Sequence, residues 1–502
     1  MPTDDPYDLV PYTDHAYAEA HPDRLVVVGR LKGWDTGALE RGRVLELGCG
    51  RGGNLLPMAA GMPGASFVGI DRSERQIDEA KRIASASGLT NVSFEVAGVE
   101  DTPPGPAEYD FVLCHGVYSW VPVETRRAML RTAARALAPK GIAYVSFNTL
   151  PGWYERLAAR DWLRFCASSL PRDGGPEHAR DALAWLVCHV SPELEPYRER
   201  LRGVSRRLEE TDRAYLVHEY LAAEHHPETV TTFLGEAELA GLSYLGDAIL
   251  QATALELLPD PVAAEARRMT VSAGEQLTDF VRCTSFRRAL LVRAPVGWST
   301  PRDLAPSALE SLRVASRMRD TGGRAELFAG PSVTVQVSEP AVQVALRELG
   351  RIAPRSLPFS ELVAAVGRAM PGRAPTELRA TLVRELFDLW LASDGLDLHA
   401  FEPPMTTSPG ERPEACPVAR WHAANGGSIT NRWHHEVRLE EPIVTYLLGR
   451  LDGTRTIADL AVEAKAALAR GPSSPAPVGP RELEGLVRGA VDLLANAGLL
   501  VG

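Results

Sequence analysis

The sequence predicts an α/β protein: a parallel, doubly wound sheet with helices on both faces, followed by two smaller α+β units. Three observations carry this. A short apolar run, Val44 to Leu47, passes through Gly48, Gly50, Gly52 and Gly53 into helix-forming residues from Asn54 to Ala60. A second apolar stretch, Ser66 to Ile70, ends on Asp71. Strand-like and helix-like stretches then alternate through Phe147.

Each element follows in turn. Val44–Leu47 reads as a buried strand, and the glycines after it let a ligand approach bare backbone. Asp71, at the end of the second strand, can accept hydrogen bonds from two ribose hydroxyls. Val92 to Val96 reads as the third strand, Tyr109 to His115 as the fourth and Gly141 to Phe147 as the fifth. Helices are expected over Glu74 to Ser87 and Val123 to Leu137. Such a fold holds a nucleotide cofactor at the carboxyl ends of its strands.

The choice of cofactor turns on Glu46. Gly48, Gly50 and Gly53 satisfy the dinucleotide pattern G-x-G-x-x-G, which alone is a weak signal. A pyrophosphate at that turn would be repelled by Glu46. A sulfonium and an ammonium would be attracted. Glu-Leu-Gly-Cys-Gly-Arg-Gly from Glu46 resembles the first motif of class I S-adenosylmethionine-dependent methyltransferases, and Asp71 matches their second. The competing reading is a Rossmann-like domain that uses NAD or has a degenerate site. The resemblance assigns cofactor contacts to Glu46, Gly48, Cys49, Gly50, Asn54, Asp71, Arg72, Gly98, Val99, Glu100 and His115. One departure stands out. The slot after the third strand, often acidic in this class to hold the adenine amino group, is Gly98 here. Glu100, Asp101 or the Val99 backbone are the substitutes.

The chain has 502 residues, enough for two to four domains, with 45% apolar and 24% charged residues. Its net charge of −11 argues against a general nucleic-acid binder. Six scattered cysteines form no C-x-x-C pair and read as reduced thiols. The acidic N-terminus lacks a secretory pattern, and no apolar run reaches the roughly 20 residues needed to span a bilayer. A cytoplasmic protein without membrane insertion is expected. No metal is expected, because His225-His226 and His434-His435 are adjacent pairs that rarely face one ion.

Residues 1–40, with Tyr7 and Tyr12 and a helix running to about Lys32, are expected to fold back as a lid. His115-Gly116-Val117-Tyr118-Ser119-Trp120 and Asn148-Thr149-Leu150-Pro151-Gly152-Trp153 follow the fourth and fifth strands, where the methyl acceptor should sit. Tyr12, Tyr118, Trp120, Trp153 and His218 are the candidates for the acceptor pocket. Aromatic faces there would attract a cation. Residues 150–228 read as a helical cap. Thr229 to Leu242 reads as the last crossover helix, with strands at Leu242 to Ile249 and Arg287 to Arg293.

These motifs, with Tyr7-Asp8, His21-Pro22, His218-Glu219-Tyr220-Leu221, Gly241 to Ala248 and Phe286 to Val292 in order, resemble bacterial methyltransferases that carry a methyltransferase regulatory domain. Rickettsial protein lysine methyltransferases are among them. The resemblance covers roughly residues 5–295 and implies methyl transfer to a protein or peptide, with lysine favoured. A small-molecule or natural-product acceptor, N- or O-methylated, is the first alternative. A catalytically silent protein that binds S-adenosylmethionine as a regulator is the second. No dedicated base is required, since desolvation beside a sulfonium lowers an amine's pKa.

Beyond the Pro-rich linker after Val296 lies an internal repeat. Ser332–Val337, Glu339-Pro340 and a helix are echoed by Ser428–Leu439, Glu441-Pro442 and a helix. Leu357–Leu362 is echoed by Arg455–Leu460, and Leu382–Leu396 by Leu486–Leu499. Three helices and a closing strand resemble a winged helix. The expected division is 1–297 for a Rossmann-like class I methyltransferase domain with its helical insertion, then winged-helix-like units at 298–405 and 406–502. Those units are expected to recruit substrate, join a homodimer or buttress the enzyme.

Overall fold

Helix α1 (Pro22–Leu31) opens the fold, and its start is written in the sequence. His21 Nδ1 accepts the Asp23 amide N–H at 3.1 Å, and Pro22 takes a position where its missing N–H costs nothing. The computed structural model describes residues 10, 15–37, 39–100, 109–169, 177–323, 326–468 and 480–501. Tyr7, Tyr12 and Asp101 lie outside them.

The expected alternation follows: β1 (Arg43–Leu47), α2 (Leu55–Gly61), β2 (Ser66–Asp71), α3 (Glu74–Ala86), β3 (Val92–Val96), β4 (Tyr109–Cys114), α4 (Val123–Ala136) and β5 (Leu137–Asn148). Ser73 caps α3 by accepting the Gln76 N–H. Strand β5 begins earlier than Gly141. A register shift opposite Tyr109 and Phe111 takes up the extra residues.

The insertion after β5 contains α5 (Tyr154–Ser169), α6 (Glu177–His189) and α7 (Glu195–Glu209). These helices share a core of their own, centred on Ala159, Leu163, Leu183 and Val204. The sheet resumes with α8 (Val230–Leu239), β6 (Ser243–Asp247), α9 (Asp260–Arg268), α10 (Val271–Arg282) and β7 (Phe286–Val292).

The seven strands run in the order β3-β2-β1-β4-β5-β7-β6. Strands β1 to β5 pair in parallel, whereas β7 lies between β5 and β6 and is antiparallel to both. The sheet is therefore mixed: its first five strands are parallel, as expected, and β7 runs against both neighbours. The helix pair α9–α10 returns the chain to the end of the sheet it left, so the next strand must run backwards. A buried arginine fixes it there. Arg287 pairs with Asp279 at 2.9 Å and Glu275 at 2.6 Å, tying β7 to α10.

Beyond β7, the chain forms β8 (Arg313–Ser316), β9 (Arg319–Asp320), β10 (Leu327–Ala329), β11 (Thr334–Gln336), α11 (Pro340–Ile352), β12 (Leu357–Pro358), α12 (Phe359–Ala369), α13 (Pro375–Ala392) and β13 (Leu396–His399). Two small sheets result, β12-β8-β13 and β11-β10-β9. The last segment carries α14 (Pro417–Asn425), α15 (Pro442–Leu448), α16 (Ile457–Leu468) and α17 (Pro480–Asn496). The three helices of the repeat recur: α11, α12 and α13 match α15, α16 and α17. Its strands do not. Ser428–Leu439 contributes a single bridge, Thr430 to Glu436, and the closing strand shrinks to Ala415–Leu500.

One apolar core runs from α1 and α2 (Leu25, Val28, Leu55, Met58) into both C-terminal segments (Leu346, Trp390, Leu447, Leu494). A second core fills the other face of the sheet, from Leu45 and Val112 to Met129 and Phe233. Among the described residues, no helix is long and apolar enough to cross a membrane.

Candidate functional site

The carboxyl ends of β1, β2, β4 and β5 open into a cavity of about 1050 Å³. All eleven residues assigned to the cofactor line it: Glu46, Gly48, Cys49, Gly50, Asn54, Asp71, Arg72, Gly98, Val99, Glu100 and His115. The turn after β1 needs its glycines. Gly48 has φ +76°, and a Cβ there would sit 2.5 Å from Val117 Cγ2. Asp71 braces the same turn. Its Oδ2 accepts the Gly50 N–H at 2.9 Å and its Oδ1 accepts the Ser73 N–H at 2.9 Å. The Asp71 carboxylate also lines the cavity, where it can accept from a ribose hydroxyl.

Glu46 is 3% exposed. Its Oε1 accepts from Asn54 Nδ2 at 2.7 Å, while the buried Oε2 has no hydrogen-bond partner. Burial pushes its pKa up to about 8, opposed by the Asn54 bond and helped by Asp71. A buried carboxyl with one unmet oxygen, facing a cavity, suits a cationic ligand group. The adenine end is less well furnished. Gly98, Val99 and the exposed Glu100 line it, and Asp101 lies outside the described residues.

The acceptor side departs from expectation. Trp120 and His218 line the cavity, but Tyr118 and Trp153 do not. Both are 1% exposed. Tyr118 is core: its ring packs edge-on against Phe233 and lies beneath Arg126. Trp153 is drawn inside because Thr149 and Leu150 are clamped by Glu228, and Thr149 and Gly152 by Ser285 and Thr284. Its ring packs on His225 and edge-on to Trp120. Trp153 thus backs the wall that Trp120 presents. His218 Nε2 donates to the Val10 carbonyl at 2.6 Å. Tyr12 lies outside the described residues. His115 bonds Tyr144 Oη at 2.8 Å, and burial lowers its pKa to about 4, leaving a neutral ring.

Several lining residues were absent from the sequence-derived set. Tyr17 stacks on His115 with ring centroids 3.4 Å apart, and its N–H donates to Asn54 Oδ1 at 3.1 Å. Glu19 binds Arg288 at 2.9 Å, and His15 binds Glu436 at 2.7 Å. His15 and Tyr17, from the described residues ahead of α1, thus line the cavity. Arg156, Tyr215, Glu219 and Phe286 also line the cavity. Strand alternation is the signal that could have found Phe286 and Arg288. With Arg287 turned to the core, Phe286 and Arg288 share the other face. Among the described residues, no group of three or more His, Cys, Asp or Glu could hold a metal.

A mixed seven-stranded sheet of this order, a glycine turn flanked by a buried acid and an aspartate at the end of β2 define a class I S-adenosylmethionine-dependent methyltransferase. Comparison with known proteins agrees. Residues 44–141 match a methyltransferase domain, 212–293 a predicted methyltransferase regulatory domain, and 411–482 the C-terminal winged helix domain of PKMT. An uncharacterised Rickettsia prowazekii protein is 32% identical over 216 residues, covering 43% of this chain and 86% of that one. The chain belongs with it in the family of class I methyltransferases that carry the regulatory domain. A second R. prowazekii protein is 35% identical over 294 residues, 57% of this chain, which spans only 52% of that relative's length. The solved structure of PKMT2 from Rickettsia typhi, also known with AdoHcy, has the same fold: TM-score 0.86 and 24% identity over 98% of this chain and 100% of that one.

Proposed function

We propose that the protein transfers a methyl group from S-adenosylmethionine to the side-chain amine of a lysine in a protein or peptide. The observation that carries this reading is the shape of the cavity. At about 1050 Å³ it lies at the top of the range of roughly 300–1,000 Å³ typical of small-ligand pockets, so the cofactor leaves room for an acceptor side chain. Its acceptor side is walled by Trp120, Tyr215 and Phe286. Two likenesses support a protein acceptor: the winged helix domain named for PKMT at 411–482, and the fold shared with R. typhi PKMT2.

When bound, S-adenosylmethionine supplies a methyl group already activated on a sulfonium. The chain's residues supply position and dryness. Asp71 holds the ribose, and Glu46 faces the cationic end. Tyr17 stacked on His115 walls the reaction from water. Trp120, backed by Trp153, guides the acceptor amine. That amine must be neutral to attack, against an ordinary pKa of about 10.4. A desolvating aromatic wall beside a cation lowers it, so no dedicated base is assigned. The winged-helix-like units at 298–405 and 406–502 present the substrate protein, and the reaction runs in the cytoplasm.

The test is incubation with methyl-labelled S-adenosylmethionine and cytosolic plus envelope extract, followed by hydrolysis of labelled protein. Methyl-lysine in the hydrolysate is the expected product. Label confined to the small-molecule fraction would replace the lysine acceptor with a metabolite.

A further inference from the structure

The buried acid that meets the cofactor is not held by the methyltransferase domain alone. Asn54 stands between two neighbours. Its Nδ2 donates to Glu46 Oε1 at 2.7 Å, and its Oδ1 lies 3.1 Å from the Tyr17 amide nitrogen and 2.9 Å from His434 Nε2. The Tyr17 main-chain N–H can only donate, so it fixes which end of the Asn54 amide is oxygen. His434 Nε2 must then be a donor too. His434 belongs to the last segment of the chain, 380 residues away in sequence, and is 2% exposed. It sits on a tight turn with φ +63°. Asn431 sets that turn: its Oδ1 accepts the Trp433 and His435 N–H groups, and its carbonyl accepts the His434 N–H. Arg432 of the same turn donates to the Ala60 carbonyl at the end of α2.

We infer that His434 is a positioning residue for the cofactor: it holds the Asn54 amide so that Glu46 presents its unpartnered oxygen to the cationic end of S-adenosylmethionine. Without that donor, the Asn54 Oδ1 keeps one bond, from the Tyr17 N–H, instead of two, and the amide can turn its Nδ2 away from Glu46. Burial holds the His434 pKa well below its ordinary value, so the ring stays neutral, with one N–H to give. The last winged-helix-like unit is thereby part of the cofactor site. This rests on the reading of Glu46 as a cofactor contact.

The test is calorimetric titration of S-adenosylmethionine and S-adenosylhomocysteine into the full-length protein and three variants, each checked by thermal melting. His434→Met keeps the volume and removes the donor. His434→Gln keeps an N–H of similar reach. Glu46→Gln tests the underlying reading. The expected result is an affinity loss of about tenfold or more for His434→Met, with His434→Gln close to the parent. Equal affinity in parent and His434→Met would overturn the inference, as would equal losses in both His434 variants, which would mean that packing alone matters. Unchanged affinity in Glu46→Gln would overturn the Glu46 reading itself. A loss in Glu46→Gln with none in His434→Met would remove only the role of His434.

Discussion

The two walls of the cavity are built on different principles. The cofactor wall is made of strand ends, held by main-chain hydrogen bonds and glycines. The acceptor wall is made of side chains from four separate places: residues 15–20, the turn after β4, the helical insertion and β7. The first is rigid because the sheet is rigid. The second is only as fixed as the contacts between those segments. Backbone places a constant ligand, and side chains from separate segments shape a variable one.

Four predictions would sharpen or break this contrast. The largest concerns Trp153, which supports the acceptor wall without touching the cavity. Trp153→Ala should cost about 3–5 kcal/mol of stability, read as a lower melting temperature. An unchanged melting temperature would mean the wall is not packed as described. Next, Asp71→Ala should weaken S-adenosylmethionine binding by about 1.5–3 kcal/mol for each charge-assisted bond lost, measured by calorimetry. Equal affinity would break the claim that the strand end holds the ribose.

A proton count comes third. Free Glu46, with a pKa near 8, is mostly protonated at pH 7. A raised acid pKa means the folded, cofactor-free protein binds more protons than the unfolded chain between pH 4.5 and 8. Its stability therefore falls as pH rises through that window. An incoming ammonium draws Glu46 to the carboxylate, so binding should release a proton. Calorimetry at pH 7 in buffers of different ionisation enthalpy should show close to one proton released, and none in Glu46→Gln. The smallest effect belongs to Trp120→Ala. It should raise the acceptor KM by about two- to fivefold, the worth of roughly 0.5–1 kcal/mol of cation–π attraction, and leave cofactor affinity alone.

The contrast also explains what could be read from the chain. All eleven residues assigned to the cofactor reach the cavity because a glycine turn and strand ends place side chains by local geometry. Tyr118 and Trp153 did not, since only the fold decides which of several neighbouring aromatics turns inward. Tyr17 joined the site through a pairing of its neighbour Glu19 with Arg288 across 269 residues, which no local pattern announces. The antiparallel β7 was hidden for a similar reason. A helix pair and a single crossover helix look alike in sequence until their packing is known.

The helical insertion has one more consequence. Its helices close on their own core, while α1, α2 and both C-terminal segments share another. The insertion is thus a separate cooperative unit resting on the sheet. In amide hydrogen exchange it should open at a lower free energy than the strands beneath it. Under the proposed protein acceptor, local opening of the insertion would admit the substrate while the cofactor stays held below.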